Sequence, residues 1–144
     1  MAREQGLGLA LLDIDHFKNI NDTYGHGIGD EVLIKLAILL KQRFAAENVF
    51  RLGGEEFVFL LSSDENDALN TLERIRAQIA REVFYCSDNA KLSITVSIGF
   101  VHFSQHMLQE PESFSTMLKL ADKRLYRAKE QGRNRINAPE FIHG

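Results

Sequence analysis

The chain reads as α+β, a mostly antiparallel sheet with helices packed on one face, and three observations carry that reading. The apolar run Leu9–Leu12 stops in Asp13-Ile14-Asp15, and a second apolar run, Phe57–Leu61, follows Gly53-Gly54-Glu55-Glu56. Residues 91–103 alternate in the manner of a strand, with Leu92, Ile94, Val96 and Ile98 on one side. Between these runs lie two stretches whose apolar residues recur at helical spacing.

The elements follow in order. The first strand ends at the acidic Asp-Ile-Asp, and residues 15–22 read as a short helix before a glycine-rich loop. From Asp30, the residues Val32, Leu33, Leu36, Ala37, Leu40 and Phe44 form one buried helical face. Gly53-Gly54 then permits the positive φ angles of a tight hairpin, and Phe57–Leu61 is apolar enough to be buried on both faces. Ser62-Ser63-Asp64 turns into a helix whose stripe is Ala68, Leu72, Ile75, Ile79 and Val83. After the strand over 91–103 comes a loop over 104–113. A last helix starts between Pro111 and Ser115 and runs to Gln131, with Gly132 as its C-terminal stop. Arg135-Ile136-Asn137 adds an edge strand. This order of strand, helix, helix, strand, strand, helix, strand, helix is that of ferredoxin-like α+β folds.

Composition narrows the function. At 144 residues the chain makes one domain, spanning 1–144, and its 44% hydrophobic and 26% charged residues are an ordinary globular balance. A net charge of −3 argues against a nucleic-acid polymer as partner, since phosphate backbones are held by basic surfaces. Cys86, the single cysteine, allows no internal disulfide and is compatible with a reducing, cytoplasmic setting. No apolar run approaches the roughly twenty residues of a membrane span, so no membrane contact is expected of this domain.

The chemistry is carried by two acidic clusters. Read alone, Glu55-Glu56 at a Gly-Gly turn is most simply an exposed hairpin tip. If the strand ending in Asp13 pairs with the one after the turn, however, Asp13 approaches Glu55 or Glu56. Like charges held that close favour a divalent cation between them. Magnesium, or manganese in its place, suits a few carboxylates and a backbone carbonyl, whereas no His/Cys spacing suits zinc. His16, His26, His102, His106 and His143 show no ligand spacing and are expected to be structural or solvent-facing.

Asp13-Ile14-Asp15-His16-Phe17-Lys18-Asn19-Ile20-Asn21-Asp22, Tyr24-Gly25-His26-Gly27-Ile28-Gly29-Asp30 and Gly53-Gly54-Glu55-Glu56-Phe57 closely resemble the GGDEF family of diguanylate cyclases. Ser97-Ile98-Gly99 and the stretch Ala121–Asn134 match the same family in the same order. The resemblance implies a palm-type core like that of nucleotidyl cyclases and polymerases. It implies condensation of two GTP into cyclic di-GMP and two pyrophosphates, each ribose 3′-hydroxyl attacking the α-phosphate of the other nucleotide across a homodimer.

Carried over residue by residue, the resemblance makes Asp13 and Glu55 side-chain metal ligands with the Ile14 carbonyl assisting, two metals to a site. Glu56 either joins them or activates the hydroxyl. Asn21 and Asp30 become the guanine-reading pair. A carboxylate accepts from guanine N1–H and N2 but meets a lone pair on adenine N1. The alternative for Asp30 is a plain cap on the long helix. Lys18, Lys129 and Arg133 match phosphate-contacting positions, with backbone N–H groups near Phe17 and Lys18 beside them. Arg51 is read as a partner for a carboxylate near the turn, and Leu33 as packing, with a second role against the base.

Two departures stand out. Many family members carry an inhibitory product site, Arg-x-x-Asp, but the matching segment here is Phe44-Ala45-Ala46-Glu47, so strong product inhibition through it is not expected. The family's opening helix and Asp-x-Leu-Thr-Gly-Leu-x-Asn-Arg segment are missing ahead of the first strand. The expectation is a fragment of a longer protein with an upstream sensory or dimerising domain. Two competing readings are a catalytically silent GTP-binding module that regulates an attached domain, and an interaction domain with a merely acidic surface.

Overall fold

The computed structural model describes residues 6–45 and 48–138. In chain order it consists of β1 (Gly6–Ile14), α1 (Phe17–Tyr24), α2 (His26–Arg43), β2 (Val49–Gly53), β3 (Glu56–Leu61), α3 (Glu65–Arg81), β4 (Phe84–Tyr85), β5 (Lys91–Leu92), β6 (Val96–Ser104), a 3-10 turn at Met107–Gln109, α4 (Ser113–Glu130) and β7 (Arg135–Asn137). Five strands form the main sheet in the order β2-β3-β1-β6-β7, and β4 pairs with β5 in a separate hairpin. All pairings are antiparallel except β6 with β7.

β1 lies at the centre, between β3 and β6, which is why its sequence is a continuous apolar run rather than an alternation. Its side chains divide between two cores. Ala10, Leu12 and Ile14 join Phe57, Phe59, Ile98 and Phe100 under α2 and α3 in the larger one. Leu9 and Leu11 join Val58 and Val101 under Met117, Ala121 and Leu125 of α4 in the smaller one. Helices thus cover both faces of the sheet, which corrects the expectation of one covered face. The approach of α4 is made possible by Gly99, where a Cβ would lie 2.1 Å from the Ala121 carbonyl oxygen. Arg124 anchors the same helix by donating to the Phe100 carbonyl at 2.8 Å.

Several boundaries differ from the sequence reading. α2 starts at His26, not Asp30, and its N-cap is Gly25, so Asp30 sits inside the helix and caps nothing. Asp64 does cap α3, accepting from the Asp67 N–H at 2.9 Å. Val83 lies beyond the end of α3 and is 41% exposed, so it is not part of that helix's buried stripe. The strand expected over 91–103 is broken at 93–95 into β5 and β6, although Leu92, Ile94, Val96 and Ile98 do enter one core. The loop over 104–113 contains the 3-10 turn. β7 forms at the sheet edge as expected. At the opposite edge, β2 pairs with β3 through a register shift between Arg51 and Gly53, a bulge, and Phe50 and Leu52 of this strand are exposed.

Candidate active site

The site is built where β1 and β3 end side by side. Antiparallel pairing sets Asp13 directly opposite Glu56, and the other flank of Asp13 faces Ser97 of β6. Directly opposed residues project to the same face of a sheet. Here it is the α4 face, shared with Leu9 and Leu11. The turn that carries Glu55 uses positive φ at Gly53 (139°) and Gly54 (54°), as the Gly-Gly pair predicts. Arg51 Nε donates to the Gly54 carbonyl at 2.9 Å, so among the described residues it closes the turn through the backbone instead of pairing with a carboxylate there.

Asp13 is 6% exposed. One of its oxygens, Oδ2, is ion-paired to Lys129 Nζ from the last turn of α4, while the other, Oδ1, is buried with no hydrogen-bond partner among the described residues. Burial is the main cause that raises the Asp13 pKa above its ordinary value; the Lys129 hydrogen bond and charge oppose it, and the charges of Glu55 and Asp15 add to it. Burial also raises the pKa of Glu56, followed by the charges of Asp13 and Asp122, with Lys129 opposing and Glu55 adding. Asp122 was given no role from the sequence. The signal was there in its spacing, since Asp122 and Lys129 lie seven positions apart and so share one stripe of α4.

A divalent cation fits this arrangement. The orphaned Asp13 Oδ1 is a buried acceptor in need of a donor or a metal, and Glu56 and Glu55 crowd negative charge around it. Among the described residues no three His, Cys, Asp or Glu side chains converge into a finished metal cage. Magnesium does not need one, because it keeps several waters and takes one or two carboxylates together with substrate phosphates. Ile14 closes β1 with its side chain in the larger core, leaving only its backbone to serve such a site.

The remaining candidates lie around the start of the helices. Phe17 is the first residue of α1 and is buried, and Lys18 beside it is exposed. The His16 carbonyl accepts from the N–H groups of Asn19 and Ile20, while the Phe17 and Lys18 amides, in the helix's first turn, lack intrahelical acceptors. His16 itself takes a left-handed conformation (φ 57°) as the N-cap. α1 and α2 bring Asn21 against Gly29, the neighbour of Asp30. A Cβ at Gly29 would fall 2.0 Å from Asn21 Oδ1, and that oxygen is buried without a partner among the described residues. Asp30 is exposed. Leu33 lines a cleft between α2 and the β2–β3 hairpin with Ala37, Val49, Arg51 and Phe57. Arg133 follows α4 in a left-handed conformation (φ 63°), its N–H donating to the Ala128 carbonyl at 2.9 Å. Of the inhibitory-site segment, Ala46 and Glu47 lie outside the described residues, and Phe44 stacks on Phe59 with ring centroids 5.1 Å apart. His102 is structural, its Nε2 lying 2.8 Å from the Ser63 carbonyl oxygen.

Comparison with known proteins decides the family. The family model described as diguanylate cyclase, GGDEF domain, matches residues 1–135. The chain belongs to the GGDEF family. Among curated relatives of this GGDEF domain, diguanylate cyclase DgcM of Escherichia coli K12 is 44% identical over 140 residues, covering 96% of this chain and 32% of its own length. Diguanylate cyclase DosC of the same organism is 36% identical over 132 residues, covering 90% of this chain and 28% of its own length. The chain therefore spans about a third of the curated relatives it matches. Among solved structures, the GGDEF domain of DgcB from Caulobacter crescentus in complex with c-di-GMP aligns with a TM-score of 0.81 at 38% identity, covering 92% of this chain and 74% of that one. The active GGEEF domain of a diguanylate cyclase from Vibrio cholerae aligns with a TM-score of 0.77 at 33% identity, covering 94% of this chain and 84% of that one. The family and the α+β class read from the sequence are both borne out. Among the described residues no helix is long and apolar enough to cross a membrane.

Proposed function

We propose that this GGDEF domain is the catalytic unit of a diguanylate cyclase, joining two GTP into cyclic di-GMP with release of two pyrophosphates. The observation that carries the reading is the register of β1 with β3, which opposes Asp13 to Glu56 at the acidic turn and leaves Asp13 Oδ1 unpartnered. Asp13, the Ile14 carbonyl and Glu55 would hold the magnesium or manganese ions, two to a site. When bound, the metal supplies charge that stabilises the phosphoryl oxygens and the leaving pyrophosphate.

The chain's own groups do the rest. Glu56, made a stronger base by burial and by the charges of Asp13 and Asp122, is suited to take the proton of the 3′-hydroxyl. Lys18, Lys129, Arg133 and the amides of Phe17 and Lys18 bind the phosphates. Asn21 and Asp30 read the guanine edge, with Leu33 as the apolar wall. That α2 begins at His26 supports this role for Asp30, because a cap is no longer available as its purpose. Each domain holds one nucleotide, so the product forms where two domains face each other across a two-fold axis. An upstream sensory or dimerising segment in the full-length protein would set how often that happens, and the nucleotide places the reaction in the cytoplasm.

The test is incubation with GTP and magnesium, alone and fused to a dimerising coiled coil, followed by chromatography for cyclic di-GMP and pyrophosphate. Both products are expected from the fusion, and Glu55→Gln is expected to lower turnover by roughly a thousandfold with an unchanged circular dichroism spectrum. Full activity in Glu55→Gln would remove the metal assignment. For Asp30→Ser the GTP-over-ATP preference, measured as the ratio of kcat/KM values, is expected to fall by about ten- to a hundredfold. An unchanged ratio would take base reading away from this carboxylate.

A further inference from the structure

We propose that Lys129 is a stand-in for the cation. In the nucleotide-free domain its ammonium occupies Asp13, and it leaves for the triphosphate as metal and nucleotide enter together. The proposal rests on the reading of Asp13 as a metal ligand.

The argument starts from burial. A carboxylate as enclosed as Asp13 cannot remain ionised without a cation beside it. That cation is Lys129 Nζ, on the same side chain that the family resemblance assigns to phosphate. The ammonium sits on Oδ2 and a divalent ion on the neighbouring Oδ1 would lie within a few ångströms of it, so the two repel and metal binding drives the lysine away from the carboxylate.

The fold allows that movement without disturbing the helix. The end of α4 is pinned: the Arg133 N–H donates to the Ala128 carbonyl, and the Asn134 N–H donates to Asp15 Oδ2 at 3.0 Å. The lysine stem, in contrast, is flexible and its side chain is 32% exposed, so the ammonium can swing toward solvent while the backbone stays in place. Metal alone displaces Lys129 toward water and the carboxylate of Glu56, which the incoming metal partly neutralises. A metal-bound triphosphate supplies a new anionic partner, so metal and nucleotide favour each other's entry beyond their direct contact.

Binding of Mn2+ to the nucleotide-free protein, read from the free-ion electron paramagnetic resonance signal, tests this. Lys129→Gln is expected to bind Mn2+ roughly tenfold more tightly than the unmodified protein. Equal or weaker binding by a folded Lys129→Gln would overturn the proposal. A second measurement needs no variant. In 15N-lysine spectra of the unmodified protein, the Lys129 ammonium should be protected from water exchange, and saturating Mg2+ should abolish that protection. Persistence of the protected signal would also overturn the proposal. Asp13→Asn separates the two levels of inference. If it binds Mn2+ as well as the unmodified protein does in the presence of GTP, the metal reading fails and this proposal with it. If it loses Mn2+ while Lys129→Gln gains nothing, only the stand-in role fails.

Discussion

Two buried aspartates stand two residues apart at the end of β1, and their surroundings could hardly differ more. Asp15 is fully provided for: it accepts from Thr95 Oγ1 and Ser97 Oγ, both at 2.6 Å, and from the Asn134 N–H at 3.0 Å. These bonds tie the end of β1 to the start of β6 and to the segment after α4. Asp13, equally enclosed, has one lysine and an empty oxygen. A buried acid whose acceptors are all filled by its own chain is part of the framework. One that is left short, among like charges, stores an unmet demand that a ligand can fill.

That contrast breaks most visibly at Asp15. Asp15→Ala leaves three donors without their acceptor and is expected to cost about 3 kcal/mol, which lowers Tm by roughly 10 °C in calorimetry of the nucleotide-free domain. A neutral result would mean that Asp15 is not part of the framework. Asp13→Asn should act in the opposite direction and more weakly. Its pKa is raised in the folded state, so the ionised form costs stability at every pH above that value, and the cost vanishes below the ordinary carboxylate range, where both states carry the proton. Lys129 can turn to water when its partner is lost. Asp13→Asn is therefore expected to be more stable than the unmodified domain by about 1 kcal/mol at neutral pH, a gain of a few degrees in Tm. The gap should close as pH falls through the raised pKa, and reverse when magnesium and GTP are present. A gap that widens on acidification would show that the Lys129 pair outweighs burial.

Much of this was legible from the residues. The apolar run ending in Asp-Ile-Asp and the one beginning after Gly-Gly-Glu-Glu are each strong local signals, and their convergence needed only the assumption that the strands pair. The helices α3 and α4 and the edge strand β7 also follow from periodicity and punctuation. What was hidden depended on tertiary context. Gly25, Gly27 and Gly29 look like loop, yet α2 runs through the last two, and the tertiary demand on Gly29 is room for Asn21 of α1. β4 and β5 are two residues long, too short for any period to register. A strand that is apolar throughout does not say which of its side chains meets which helix, so the second covered face of the sheet could not be read. The Lys129–Asp13 pair joins positions 116 apart, and the Thr95 and Ser97 hydroxyls bonding to Asp15 are 80 and 82 residues away from it.

The bulge in β2 has a consequence for how copies of this domain behave in crowded solution. An outer strand with bare amides and two exposed apolar side chains is a template on which another chain could zip into a growing ribbon. By kinking the strand between Arg51 and Gly53, the irregularity interrupts the ladder after three paired positions, Val49, Phe50 and Arg51. Two molecules colliding there find no long run to propagate, which discourages aggregation beside the Gly53-Gly54 turn.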